Sequence, residues 1–165
     1  MILICSGSSG HNLTMAENIA REASDLGIDS EVMDLTRLEL PLYTPDREAQ
    51  GIPESIAAIE ARFAAAAGYV FCAPEYNGST PPVLSNAIAW LSVQSDDFRL
   101  LFNGKSVVLG THSGGHGAKL LVAMRLQFAH LGCTVLGREL TANRNKPFNA
   151  ASARTVLEQL KVLTS

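Results

Sequence analysis

The sequence predicts an α/β protein built on a parallel sheet with helices on both faces. Three short apolar runs point to it, each passing into a Gly- or Pro-containing loop and then into a segment of helical periodicity. The runs are Ile2–Cys5, Tyr69–Ala73 and Val107–Leu109, and the loops are Ser6–Asn12, Pro74–Ser79 and Gly110–Gly117. In a parallel sheet the three loops share one edge, and ligands bind there where the strand order reverses.

The remaining elements alternate in the same way. From Asn12 to Leu26, Ala16, Ile19, Ala20, Ala23 and Leu26 form an apolar stripe, with Glu17, Glu22 and Asp25 mostly off it. Ser30 to Leu35 reads as the second strand, and the Pro-containing stretch from Thr36 to Ile52 as a long surface loop. Pro53 opens a second helix, in which Ile56, Ile59, Phe63 and Ala66 recur at helical spacing and which Gly68 ends. A third helix from Pro82 buries Val83, Leu84, Ala87, Ile88 and Leu91, and a fourth buries Leu120, Leu121, Met124 and Phe128. Thr134–Leu136 forms the fifth strand, Leu140 to Pro147 is irregular, and Val156, Leu157, Leu160 and Leu163 mark a closing helix.

Composition narrows the function classes. With 165 residues, 47% of them hydrophobic, and no linker or internal repeat, the chain reads as one domain over residues 1–165. A net charge of -3 carries no nucleic-acid footprint and no basic surface for anionic lipid. The first segment is strand-like, without a basic leader, and no apolar run reaches membrane length, so a cytoplasmic protein is expected. Cys5, Cys72 and Cys133 are odd in number and lie in apolar surroundings, which favours reduced buried thiols over disulfides or a redox pair.

The loops carry the chemistry. Ser6-Gly7-Ser8-Ser9-Gly10-His11-Asn12 opens a helix, so its amides, its hydroxyls and the helix dipole suit a phosphate. No Lys follows the second glycine, and the glycine spacing does not make a dinucleotide fingerprint. No Lys or Arg precedes Arg21, which leaves neutral donors, the dipole and a protonated His11, and favours a monophosphate over a pyrophosphate. Taken alone, the loop equally suits a plain turn with Asn12 as helix N-cap. Pro74-Glu75-Tyr76-Asn77-Gly78-Ser79 adds a rigid backbone edge beside an aromatic, a surface for a planar heterocycle.

Together with Leu40-Pro41-Leu42-Tyr43, these motifs resemble the NAD(P)H-dependent FMN reductase family, a flavodoxin-like group that includes quinone, azo-dye and chromate reductases. The most specific stretch runs from Pro74 through Thr80-Pro81-Pro82-Val83-Leu84-Ser85-Asn86 to Trp90-Leu91-Ser92. The resemblance implies a flavodoxin-like three-layer sandwich with a five-stranded parallel sheet of order 2-1-3-4-5. It implies bound FMN, NADPH or NADH as electron donor, a small acceptor such as a quinone or azo compound, and a ping-pong cycle without a catalytic side chain. Ser6, Ser8, His11, Asn12 and Leu13 would surround the phosphate. Pro74, Glu75, Tyr76, Asn77 and Gly78 would hold the ring, and Ser113, Gly114 and Gly115 would close its other side. A homodimer or homotetramer is implied as well. The chain departs from the family in a shorter, less basic first loop, and in His112 and His116 where more neutral residues are usual.

Rival readings are weaker. A flavodoxin-like electron carrier without reductase activity shares the flavin site, but such carriers tend to be strongly acidic and to bracket the ring with two aromatics. His112 and His116 have metal-ligand spacing, yet Gly114 and Gly115 between them argue against a helix, so no metal is expected. Ser8 or Ser113 with His112 lacks the elbow motif and an orienting Asp of a hydrolase. His130 suits the C-terminal cap of a helix, and Trp90 the core or a subunit contact.

Overall fold

The computed structural model of the protein describes residues 1–165. Its elements are β1 (Ile2–Ser6), α1 (His11–Asp25), β2 (Ser30–Asp34), a 3-10 turn at Leu35–Arg37, α2 (Pro45–Ala49), α3 (Ile56–Ala65), β3 (Gly68–Cys72), α4 (Pro82–Ser92), β4 (Ser106–His112), α5 (Ala118–His130), β5 (Thr134–Val135), β6 (Leu140–Ala142) and α6 (Ala150–Leu163). The strands run parallel in the order β2-β1-β3-β4-β5, the order that the family resemblance implies.

The central strands are buried on both faces, so their alternate residues feed two cores. Leu3, Cys5, Tyr69, Phe71, Val107 and Leu109 pack beneath α3, α4 and α5. Ile2, Ile4, Val70, Cys72 and Val108 pack beneath α1 and α6. The chain leaves β1 toward α1 on one face and leaves β3 toward α4 on the other. The two connections diverge, and a crevice opens at the carboxyl ends of β1 and β3.

Four details depart from the sequence reading. The expected surface loop contains α2, started by Thr44, whose hydroxyl accepts from Arg47 N–H at 3.0 Å, and by Pro45 in the first turn. Gly68 does not end the second helix, because Ala66 is already extended. It sits buried in β3, where a Cβ would lie 2.9 Å from Thr164 Cγ2 and 3.0 Å from the Ser106 carbonyl oxygen, so close approach explains the glycine. Gly110 to His112 continue β4 rather than forming loop, and the segment expected to be irregular supplies β6. β5 pairs only with Ser106 and Val107, while β6 pairs with Gly110, Thr111 and His112. The return of the chain thus satisfies a strand edge that would otherwise stay unpaired beside the crevice.

Trp90 belongs to the core, fully buried, with its indole N–H donating to the Pro41 carbonyl at 2.7 Å and Tyr43 packed edge-on against it. Asn86 binds the same segment through the Tyr43 N–H and the Pro41 carbonyl. The Leu40-Pro41-Leu42-Tyr43 motif is therefore held on α4 by the Asn86 amide and the Trp90 indole.

Candidate active site

All the residues singled out from sequence lie at the carboxyl edge of the sheet, but they fall into two groups. One group has its polar atoms engaged within the protein. Asn12 lies in the first turn of α1, 2% exposed, and Gly10 occupies the cap position. Its side chain donates to the His112 carbonyl at 3.1 Å and accepts from the His112 N–H at 2.8 Å. This pair ties the start of α1 to the end of β4. The fully buried Ser6 hydroxyl closes back on the Ser8 carbonyl at 2.7 Å.

Ser113 belongs to a second tie, which joins the loops after β3 and β4. The Thr111 hydroxyl donates to the Ala73 carbonyl at 2.7 Å. The Ser113 hydroxyl therefore donates to Thr111 Oγ1, 2.9 Å away, and accepts from the Glu75 N–H at 2.8 Å. Both hydroxyls are buried, so each link is costly to leave unmade. The Glu75 carboxylate accepts from the Leu120 N–H at 3.3 Å. It thereby caps α5, whose own N-cap is Gly117 and supplies no side-chain oxygen. Beyond Glu75 the chain makes a two-residue turn with Asn77 at φ 51° and Gly78 at φ 76°, closed by reciprocal bonds between Tyr76 and Ser79. That is the Asn-Gly hairpin geometry. Tyr76 is 50% exposed on this turn.

The other group is unengaged. The N–H groups of Ser9, Gly10, His11 and Asn12 donate to no protein oxygen, nor do those of Gly114 and Gly115, and the Ser8 hydroxyl has no partner. A Cβ at Gly10, Gly114 or Gly115 would meet nothing within 4 Å, and none of the three has positive φ. The protein itself does not require glycine at these positions. Leu13 is half-buried beside them.

Between these groups lies an open cavity of about 430 Å³ lined by His11, Pro74, Glu75, His112, Ser113, Gly114, Asn143, Arg144 and Asn145. Sequence reasoning missed the last three. Asn143 is buried at the end of β6, and its Oδ1 accepts from the N–H groups of Asn145 and Lys146, both at 2.8 Å. The Asn-Arg-Asn run after an apolar stretch is the local signal of such a turn. The cysteines take no part. All three are buried, and burial pushes the Cys72 and Cys133 thiols up to about 12, far from thiolate character at neutral pH. No group of His, Cys, Asp and Glu is arranged to hold a metal ion, and no helix is long and apolar enough to cross a membrane.

A family model described as NADPH-dependent FMN reductase matches residues 1–147. A quinone reductase of Escherichia coli (strain K12) is 34% identical over 103 residues, covering 61% of this chain and 53% of that protein. The chain thus spans about half the length of this curated relative. Among solved structures, the flavoenzyme NAD(P)H:(acceptor) oxidoreductase FerB of Paracoccus denitrificans superposes with a TM-score of 0.75 at 19% identity, covering 99% of this chain and 94% of that one. A flavodoxin from the domain Archaea superposes with a TM-score of 0.67 at 14% identity, covering 97% of this chain and 98% of that one, and so shares the fold.

Proposed function

The chain belongs to the NADPH-dependent FMN reductase family, and on that premise we propose that it is an oxidoreductase that binds FMN at the sheet edge. It passes electrons from NADPH or NADH to a small acceptor of the quinone or azo class. The observation that carries this reading is the placement of Gly10, Gly114 and Gly115, whose missing side chains the protein does not need, beside six N–H groups without acceptors. Such a cradle fits a phosphate at the start of α1 and a flat ring against backbone.

The amides of Ser9 to Asn12 and the Ser8 hydroxyl would take the phosphate, with Leu13 and His11 beside it. Gly114 and Gly115 would let backbone lie against the ring, Pro74 and Tyr76 would flank it, and the free tip of the Asn77-Gly78 turn would face it. Ser6, Asn12, Glu75 and Ser113 act as positioning residues, because their polar atoms hold the loops to one another. When bound, FMN supplies the reversible exchange of a hydride equivalent that none of these side chains offers. Donor and acceptor would use one open face in turn, a ping-pong order. No acid or base is asked of the protein, whose contribution is binding, orientation and a preformed edge. The name of the quinone reductase relative supports the acceptor class. We expect a cytoplasmic homodimer or homotetramer, a setting that suits three reduced buried thiols.

The test is reconstitution with FMN and identification of the released cofactor by mass spectrometry. Anaerobic bleaching by NADPH or NADH and reoxidation by a quinone, with parallel double-reciprocal plots, is the expected result. Stable flavin binding with negligible reduction by either nicotinamide would make the protein an electron carrier instead. FAD alone, or no flavin at all, would remove the reading.

A further inference from the structure

Three basic side chains from three separate elements meet in the cavity. His11 on α1 and His112 at the end of β4 stack with ring centroids 4.4 Å apart and 27° between planes. Neither ring has a hydrogen-bond partner in the protein, since both bonds from Asn12 go to the His112 main chain. Arg144 comes from the loop between β6 and α6, lines the same cavity and forms no ion pair.

We propose that His11, His112 and Arg144 together form a phosphate-monoester site that grips the terminal phosphate of the flavin. The proposal rests on the flavin reading above and adds the source of positive charge, which the first loop lacks: no Lys or Arg occurs between Met1 and Arg21. The Arg144 guanidinium supplies a permanent positive charge, and the two imidazoles present ring nitrogens that no protein group occupies, so a phosphate meets one cation and two free nitrogen edges drawn from three separate elements. Glu75 lines the cavity, but its carboxylate is engaged with the Leu120 N–H on α5, and His116 meets the Asn143 side chain through Nδ1 at 3.1 Å.

The experiment is calorimetric titration of the apoprotein with FMN and with riboflavin at pH 7.5, where the flavin phosphate, with a second pKa of about 6, is mostly the dianion. Wild-type protein prefers FMN over riboflavin. The double variant His11→Asn/His112→Asn lowers that preference roughly tenfold or more, while riboflavin affinity stays at the wild-type value, which also certifies the fold. Arg144→Gln lowers the preference for FMN over riboflavin roughly tenfold, the scale of one charge-assisted hydrogen bond. An unchanged preference in the variants overturns the proposal while leaving flavin binding in place. Failure of wild-type protein to bind either flavin removes the flavin reading itself. If the variants leave FMN untouched but weaken NADPH relative to NADH, the monoester held there is the ribose phosphate of the dinucleotide, and the flavin assignment falls.

Discussion

The loop after β1 and the clasp between the loops after β3 and β4 lie side by side on one edge and are built in opposite ways. In the clasp, Thr111, Ser113, Glu75 and Ala73 satisfy one another, and the Tyr76–Ser79 turn closes on itself. In the first loop, four successive N–H groups have no acceptor in the protein. The clasp satisfies its polar groups internally, while the loop leaves its donors free, as the proposed phosphate site requires. On that proposal, the edge separates shape, held by satisfied polar groups, from affinity, carried by free donors. Asn12 joins the two regions, so it belongs energetically to the clasp although it stands in the loop's helix.

The largest effect is expected where that joint is cut. Asn12→Ala removes two hydrogen bonds and leaves the His112 N–H and carbonyl unpaired, so it should cost about 2–4 kcal/mol of stability. Denaturant unfolding of the apoprotein measures it, and a loss below about 1 kcal/mol would put Asn12 back among ligand-only contacts. Within the clasp, Thr111→Val keeps the volume but strands the Ala73 carbonyl and the Ser113 hydroxyl. We expect a loss of about 1–3 kcal/mol, present with or without flavin. If instead the variant folds normally and only flavin binding drops, the clasp is a ligand site after all.

The first loop should behave in the reverse sense. Ser8→Ala removes a hydroxyl with no protein partner, so apoprotein stability should move by less than about 0.5 kcal/mol. FMN binding should weaken by about 1–2 kcal/mol and riboflavin binding much less, as read by quenching of flavin fluorescence. Equal losses for the two flavins would show that the loop serves the ring rather than the phosphate. The smallest effect is expected at Tyr76, half exposed on its preformed turn. Tyr76→Ala should leave the apoprotein melting temperature in place and weaken flavin binding by about 1 kcal/mol, with a shifted flavin absorption band. A lower apoprotein melting temperature with an unchanged holo spectrum would mean that the ring packs on the protein and not on the flavin.

Local periodicity made the parallel sheet and the shared edge of its loops legible in the sequence, and the family resemblance supplied the strand order. Apolar runs of strand length, helical stripes and loops rich in Gly and Pro are short-range patterns, and buried central strands leave few other ways to arrange them. The Pro74–Ser79 loop was legible for the same reason, while its Asn77-Gly78 turn, with two consecutive positive φ angles, is a local signal that the sequence reading passed over. What the pattern did not reveal was which polar groups would be used up. Asn12 and His112 are separated by 100 positions, and Glu75 and Ser113 by 38, yet their bonds decide that these residues brace the site. A hydroxyl or amide in a Gly-rich loop reads as a ligand donor until a distant partner claims it. In the same way Arg144 entered the cavity because β6 pairs with the end of β4, a pairing that the short Leu140–Ala142 segment does not announce by itself. By itself, then, the sequence determined most of the elements and the one edge that their Gly- and Pro-containing loops share, because those follow from interactions between near neighbours in the chain. Only the tertiary structure decided which donors remain free on that edge, because freedom of a polar group depends on every partner the folded chain brings within hydrogen-bond reach.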